Sequence, residues 1–158
     1  MYTSIHDEAA SLLVGIWSGD TNTDADFDTV VGDLERSLRT AQARPETRIH
    51  LMFADADNPP PGAAHRQRLI RVVKADPGYT NTCFVMVTPS LLIRGAVTAV
   101  AWFAPEKHKA SAHANLNDAL EWIDGQRPGV RPRLQEMATL ARREAERRQA
   151  QTTSVARR

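Results

Sequence analysis

The residues able to do chemistry gather where apolar runs end. After the run at 11–17 (SLLVGIW) come Ser18, Asp20, Thr21 and Asn22; after 48–54 (RIHLMFA) come Asp55, Asp57 and Asn58; after 83–87 (CFVMV) come Thr88 and Ser90. If those runs are parallel strands, their carboxyl ends form the edge where α/β proteins usually bind ligands. Asp20, Asp55 and Asp57 there are candidate ligands for magnesium, which prefers hard oxygen donors. A phosphoacceptor site is a related reading, and Asp55 and Asp57 form a D-x-D pair as in some phosphohydrolases. The plainer reading is that Asp, Asn, Ser and Thr are turn formers and helix caps. No supporting Lys completes a receiver-type site, and the prolines after Asp57 make a poor phosphate cradle.

Other chemistry finds less support. The histidines His6, His50, His65, His108 and His113 include no i, i+4 pair and no H-E-x-x-H, so they read as surface or boundary residues rather than metal ligands. The single cysteine, Cys83, opens an apolar strand and reads as a small hydrophobe. One cysteine excludes an intramolecular disulfide framework and a Cys-based zinc site. There is no G-x-S-x-G, P-loop or G-x-G-x-x-G pattern. No catalytic residue and no cofactor is assigned.

The chain has 158 residues, enough for one domain and a tail. Lys and Arg total 20 against 19 Asp and Glu, a balance that argues against a dedicated nucleic-acid binder. No apolar run reaches the roughly 18–20 residues of a spanning helix, and the first ten residues lack an apolar signal core. A cytoplasmic setting is expected.

The elements that must position these residues alternate in period. A weak first strand at 2–6 precedes the run at 11–17. Phe27, Val30, Val31, Leu34, Leu38 and Ala41 then form one helical face, with Asp28, Asp33, Glu35, Arg36 and Arg39 largely off it and Thr23 with Asp26 as a cap. The strand at 48–54 leads through three prolines into a helix at 63–74, with Leu69, Ile70 and Val73 inward. The strand at 83–87 leads into a helix at 91–103 whose inner side reads as Leu92, Ala96, Ala99 and Phe103. A weak strand at 110–114 precedes a helix capped by Asn115, with Leu116, Ala119, Leu120 and Ile123 inward. This alternation predicts an α/β fold with a four- to five-stranded, mainly parallel sheet.

Residues 128–158 differ in kind. From 131 onward there are eight arginines against three glutamates. Leu134, Met137, Ala138, Ala141 and Ala145 mark one face of a helix expected to fray past about residue 149. We read residues 1–127 as the domain and 128–158 as a basic helical extension. An amphipathic helix with no domain surface to cover would pair with a partner, so Leu134, Met137 and Ala141 are candidate interaction residues and a homodimer is one outcome. Sequence does not separate packing in cis from pairing in trans. Arg66 and Arg71, with Arg94 nearby, offer a second surface, for an acidic partner. An exposed Trp102 would mark a third.

Four passages resemble the SpoIIAA-like, or STAS/SEC14-type, small domains of bacteria: SLLVGIWSGDT with the hairpin it closes, RIHLMFADADNPPP, TCFVMVTPSLLIRGAVTAVAWF and HANLNDALEWI. Together they span roughly residues 2–125. The resemblance implies helices packed largely on one side of the sheet. It also implies protein–protein signalling or small-ligand sensing rather than catalysis. Phosphorylatable members carry a serine in an Asp-Ser motif before a helix. Here Ala56 stands where that hydroxyl would be sought, and no Ser or Thr occurs from residue 53 to 79. Regulation by serine phosphorylation is therefore not expected.

Overall fold

A computed structural model describes residues 1–19, 23–41, 46–75, 81–102 and 109–156. Among these residues five strands and five helices follow one another as β1 (Tyr2–Asp7), β2 (Leu12–Trp17), α1 (Asp24–Ala41), β3 (Arg48–Ala54), α2 (Ala63–Ala75), β4 (Thr82–Val87), α3 (Leu91–Trp102), β5 (Lys109–His113), α4 (Leu116–Gln126) and α5 (Arg131–Ala156). The strands lie in sequence order across one sheet. β1 pairs antiparallel with β2, and all other pairs are parallel. The expected α/β class and mainly parallel sheet are found.

The topology explains the layers. Each crossover from β2 to β5 steps one strand in the same direction. Crossovers of one hand then place α1, α2 and α3 on the same face. Phe27, Val30 and Leu34 of α1 and Ile93 of α3 pack there against Tyr2, Trp17, Met52 and Met86. These three share one face, as the resemblance implies, whereas α4 and α5 do not.

The opposite face is closed by α4 and α5. Ala119, Leu120 and Ile123 of α4 and Leu134, Met137, Ala138, Ala141 and Ala145 of α5 bury the inward side chains of β2, β3 and β4. β2 and β3 are buried along their whole length, which is why they read as near-continuous apolar runs. Leu134, Met137 and Ala141 are therefore core residues, fully buried against their own chain, and not an interaction surface. The stretch from 128 is no appendage: through Ala145 it completes the same core as residues 1–127. The helix also runs past residue 149 to Ala156, with its described side chains beyond Ala145 exposed.

Local signals account for several ends. Thr23 and Asp26 form the expected reciprocal cap: the Asp26 N–H donates to Thr23 Oγ1 at 3.2 Å and the Thr23 N–H to Asp26 Oδ2 at 3.1 Å. Asp26 also accepts from the Tyr2 N–H at 2.7 Å, which ties β1 to α1. Asn115 caps α4, accepting from the Asp118 N–H at 3.0 Å. The Arg127 guanidinium then reaches the carbonyls of Ala10 and Thr47, at 2.8 and 2.9 Å.

In α3 the helical period was right and its phase wrong. Ser90 caps the helix, with the Ile93 N–H donating to its hydroxyl at 3.4 Å. Ile93 and Val97 therefore face the sheet, while Leu92 and Ala99 are exposed. Phe103 lies outside the described residues. Among the described residues, no helix is long and apolar enough to cross a membrane.

Candidate functional site

The C-terminal edge of the parallel strands is built by two turns. After β3, the Asp55 N–H donates to Asn58 Oδ1 at 2.8 Å, and the Asn58 N–H returns to the Asp55 carbonyl at 3.2 Å. Asn58 Nδ2 also donates to the Gly19 carbonyl. Asn58 is thus the buried hub of two loops, while Asp55 and Asp57 project into solvent. Asp20 lies outside the described residues. Among those described, no three His, Cys, Asp or Glu side chains come together as a metal site would require. The structure thus gives the D-x-D pair a turn geometry, with no third ligand beside it among the described residues.

The turn after β4 is more constrained. The Thr88 N–H donates to the His113 carbonyl at 2.9 Å, and Thr88 Oγ1 accepts from the Ser90 N–H at 3.2 Å. The Arg94 guanidinium folds back onto the Thr88 carbonyl at 3.0 Å. Arg94 is a half-buried brace for this turn rather than a residue offered to a partner. The turn presents Leu91 and Leu92, each 76% exposed. Two adjacent large aliphatics in the first turn of a helix are unusual in solvent, since that position favours polar or acidic residues.

The other candidate surfaces are dispersed. Arg66 and Arg71 are exposed on α2. The α2 charges nearest α1 are already matched: His65 Nε2 lies 2.9 Å from Asp24 Oδ1, and Arg68 pairs with Asp28. The His65 ring also stacks on Phe27, with centroids 3.7 Å apart. Trp102 ends α3 and its side chain lies outside the described set. Trp17 is core, packed between Tyr2 and Phe27. Trp122 packs half-buried at the margin. Cys83 is buried, and that burial pushes its thiol pKa up, as a core thiol requires.

Sequence reasoning missed a polar cluster beneath α1. The register puts His6, Leu13 and His50 in one row across β1, β2 and β3. Asp33 and Ser37, one helical turn apart on α1, reach down to that row. His6 Nε2 lies 2.9 Å from Asp33 Oδ1, and Ser37 Oγ lies 2.7 Å from His50 Nε2. Asp33 is buried, contrary to its placement on the outer side of the helix. Tyr2 completes the cluster: burial and the neighbouring Asp33 charge push its phenol pKa well above the ordinary value. Ser37 and His50 are both buried, which screens the hydroxyl from substrate. The cluster anchors α1 to the sheet.

The cluster makes stability depend on pH. Burial alone would raise the Asp33 carboxyl, but hydrogen bonds from His6 and Ser4 and the charges of His6 and Arg36 outweigh it, and the pKa falls below the ordinary value. A folded-state pKa below the unfolded one stabilises the fold above the unfolded value, and that contribution is lost as pH falls through the folded one. The melting temperature should therefore drop as pH goes below about 4. Thermal melts of wild type and Asp33→Asn check this: the variant should melt lower at neutral pH and lose less on acidification. Equal acid slopes in both proteins would show that Asp33 is not the group responsible.

Comparison of the chain with protein-family models, curated proteins and solved structures finds no match, so the reading of this edge rests on its own geometry.

Proposed function

We propose that this chain is a non-catalytic regulatory or protein-interaction module of STAS-like type, acting in the cytoplasm and not controlled by serine phosphorylation of the loop after β3. The observation that carries the proposal is the pair Leu91 and Leu92, held outward by a turn braced through Thr88, Ser90 and Arg94. A rigid apolar projection costs little ordering on binding, so more of its burial appears as affinity. Fully burying a leucine is worth about 1.5–3 kcal/mol. The site fits a protein partner with an apolar pocket. Pairing through the apolar face of α5 is disfavoured, because that face is spent within the chain.

Affinity capture from host extract, followed by calorimetry with the purified partner, tests the reading. The double substitution Leu91→Ser with Leu92→Ser should weaken binding at least about tenfold. The melting temperature should not fall, since neither side chain is core. Unchanged affinity in the double variant, or a specific turnover that depends on Asp55 or Asp57, would overturn the proposal.

A further inference from the structure

β1 is an edge strand: among the described residues no other strand pairs with its outer side. Its ladder phase follows from its first residue: Met1 exchanges both backbone bonds with Ser18, at 2.8 and 2.9 Å. Odd-numbered residues of β1 therefore face β2, and even-numbered ones direct their N–H and C=O outward. Tyr2 conforms, since its outward N–H is taken by Asp26. The outward backbone groups of Ser4 and His6 come next along the same edge.

Beside this edge runs an open groove between β1 and α5, of about 570 Å³. The groove is open rather than enclosed, which suits an extended chain better than a small molecule. Its apolar floor is Ile5 and Leu140, the latter 42% exposed. Its far wall is Arg143, Arg147 and Arg148. Arg147 and Arg148 share one carboxylate, Glu144, at 2.7 and 2.9 Å. Arg143 is exposed, with no ion pair among the described residues. Three guanidinium groups against one carboxylate leave the wall positive.

We propose that this groove binds an acidic, extended protein segment, which adds to the sheet as a sixth strand alongside β1. Strand addition supplies main-chain bonds to Ser4 and His6, and alternate side chains read the groove. On the α5 side the segment carries an apolar residue over Ile5 and Leu140, with carboxylates two residues away on either side for Arg143 and Arg147. Those arginines match carboxylates in bidentate geometry. A nucleic-acid strand would meet the same arginines, but it would leave the apolar floor and the strand edge unused. This surface is separate from Leu91 and Leu92 and goes beyond the function proposed above.

The test uses a fluorescein-labelled peptide, Glu-Thr-Ile-Thr-Glu-Thr-Val-Thr-Glu, and the full-length protein, read by fluorescence anisotropy. Saturable binding below about 1 mM peptide is expected. Arg143→Glu should weaken it roughly tenfold at unchanged melting temperature, and should instead favour the peptide with Lys in place of Glu. Methylating alternate backbone nitrogens of the peptide should abolish binding while leaving its charge intact. The Leu91→Ser, Leu92→Ser protein should bind the peptide as wild type does, so failure of one surface is distinguishable from failure of the other. Absence of binding at that concentration, equal binding of the methylated peptide, indifference to Arg143→Glu, or capture of a single-stranded oligonucleotide in preference to the peptide would each overturn the proposal.

Discussion

Truncation after Gly129 should yield a chain that does not fold. The cut removes Leu134, Met137, Ala138, Ala141 and Ala145, which cover the β2 side of the sheet. Leu134 and Met137 are fully buried, and each contributes about 1.5–3 kcal/mol. Removing them also strands Leu12, Val14, Ile16 and their neighbours in water. The combined loss exceeds what a domain with about 5–15 kcal/mol of net stability can absorb. Far-UV circular dichroism and amide NMR dispersion read the result directly. A shorter truncation, after Ala150, removes helix whose described side chains are exposed and should leave the melting temperature unchanged. A cooperative, native-like melt of the chain ending at Gly129 would show that α5 is an appendage after all.

Gly15→Ala should be the most damaging single methyl group. Gly15 lies in the middle of β2 and faces α1, opposite Ser4 on one side and Met52 on the other. A Cβ built there would stand 2.5 Å from the Tyr2 hydroxyl oxygen and 2.8 Å from both the Tyr2 ring and Met52 Sδ. To make space, Tyr2 would have to shift against Trp17, on which it packs at 5.0 Å between ring centroids, and Met52 would have to shift within the core. Glycine is used here for the space it leaves. Overpacking of this kind costs about 1–3 kcal/mol. For a chain of this size that corresponds to a fall of roughly 2–12 °C in melting temperature. The cost should not add to that of Tyr2→Ala, because removing the ring vacates the space that the new methyl needs. A Gly15→Ala protein melting at or above wild type would show that Tyr2 can move aside.

What the sequence discloses, and what it conceals, follows the range of the interactions. β2, β3 and β4 are legible because strands buried on both faces must be apolar throughout. The faces of α4 and α5 are legible because small and aliphatic residues recur at helical spacing without a competing phase. In α3 almost every residue is apolar or small, so periodicity alone cannot set the phase; the Ser90 cap sets it and turns Ile93 inward. Asp33 misled for a different reason, and Ser37 beside it gave no signal. A charged or polar residue on an amphipathic helix reads as outward, and their partners His6 and His50 come from strands distant in the chain.

The candidate site shows the same division. That Asp55, Asp57 and Asn58 sit at a strand end was legible; that Asn58 is the buried hub and the two carboxylates face solvent depends on a contact to Gly19. The exposed pair at Leu91 and Leu92 was concealed by the reading that placed Leu92 in the core. The acidic-strand groove depends on the relation between β1 and α5, at opposite ends of the chain.

Site-specific photo-crosslinking in the native host tests the interaction reading most directly. A photoreactive residue at position 92 should give one discrete adduct, and the same reagent at the exposed Glu121 on α4 should not. The protein in that adduct should bind the purified chain and lose affinity for the Leu91→Ser, Leu92→Ser variant. No adduct at position 92, or equal adducts at 92 and 121, would contradict the assignment of Leu91 and Leu92 as the partner-facing surface.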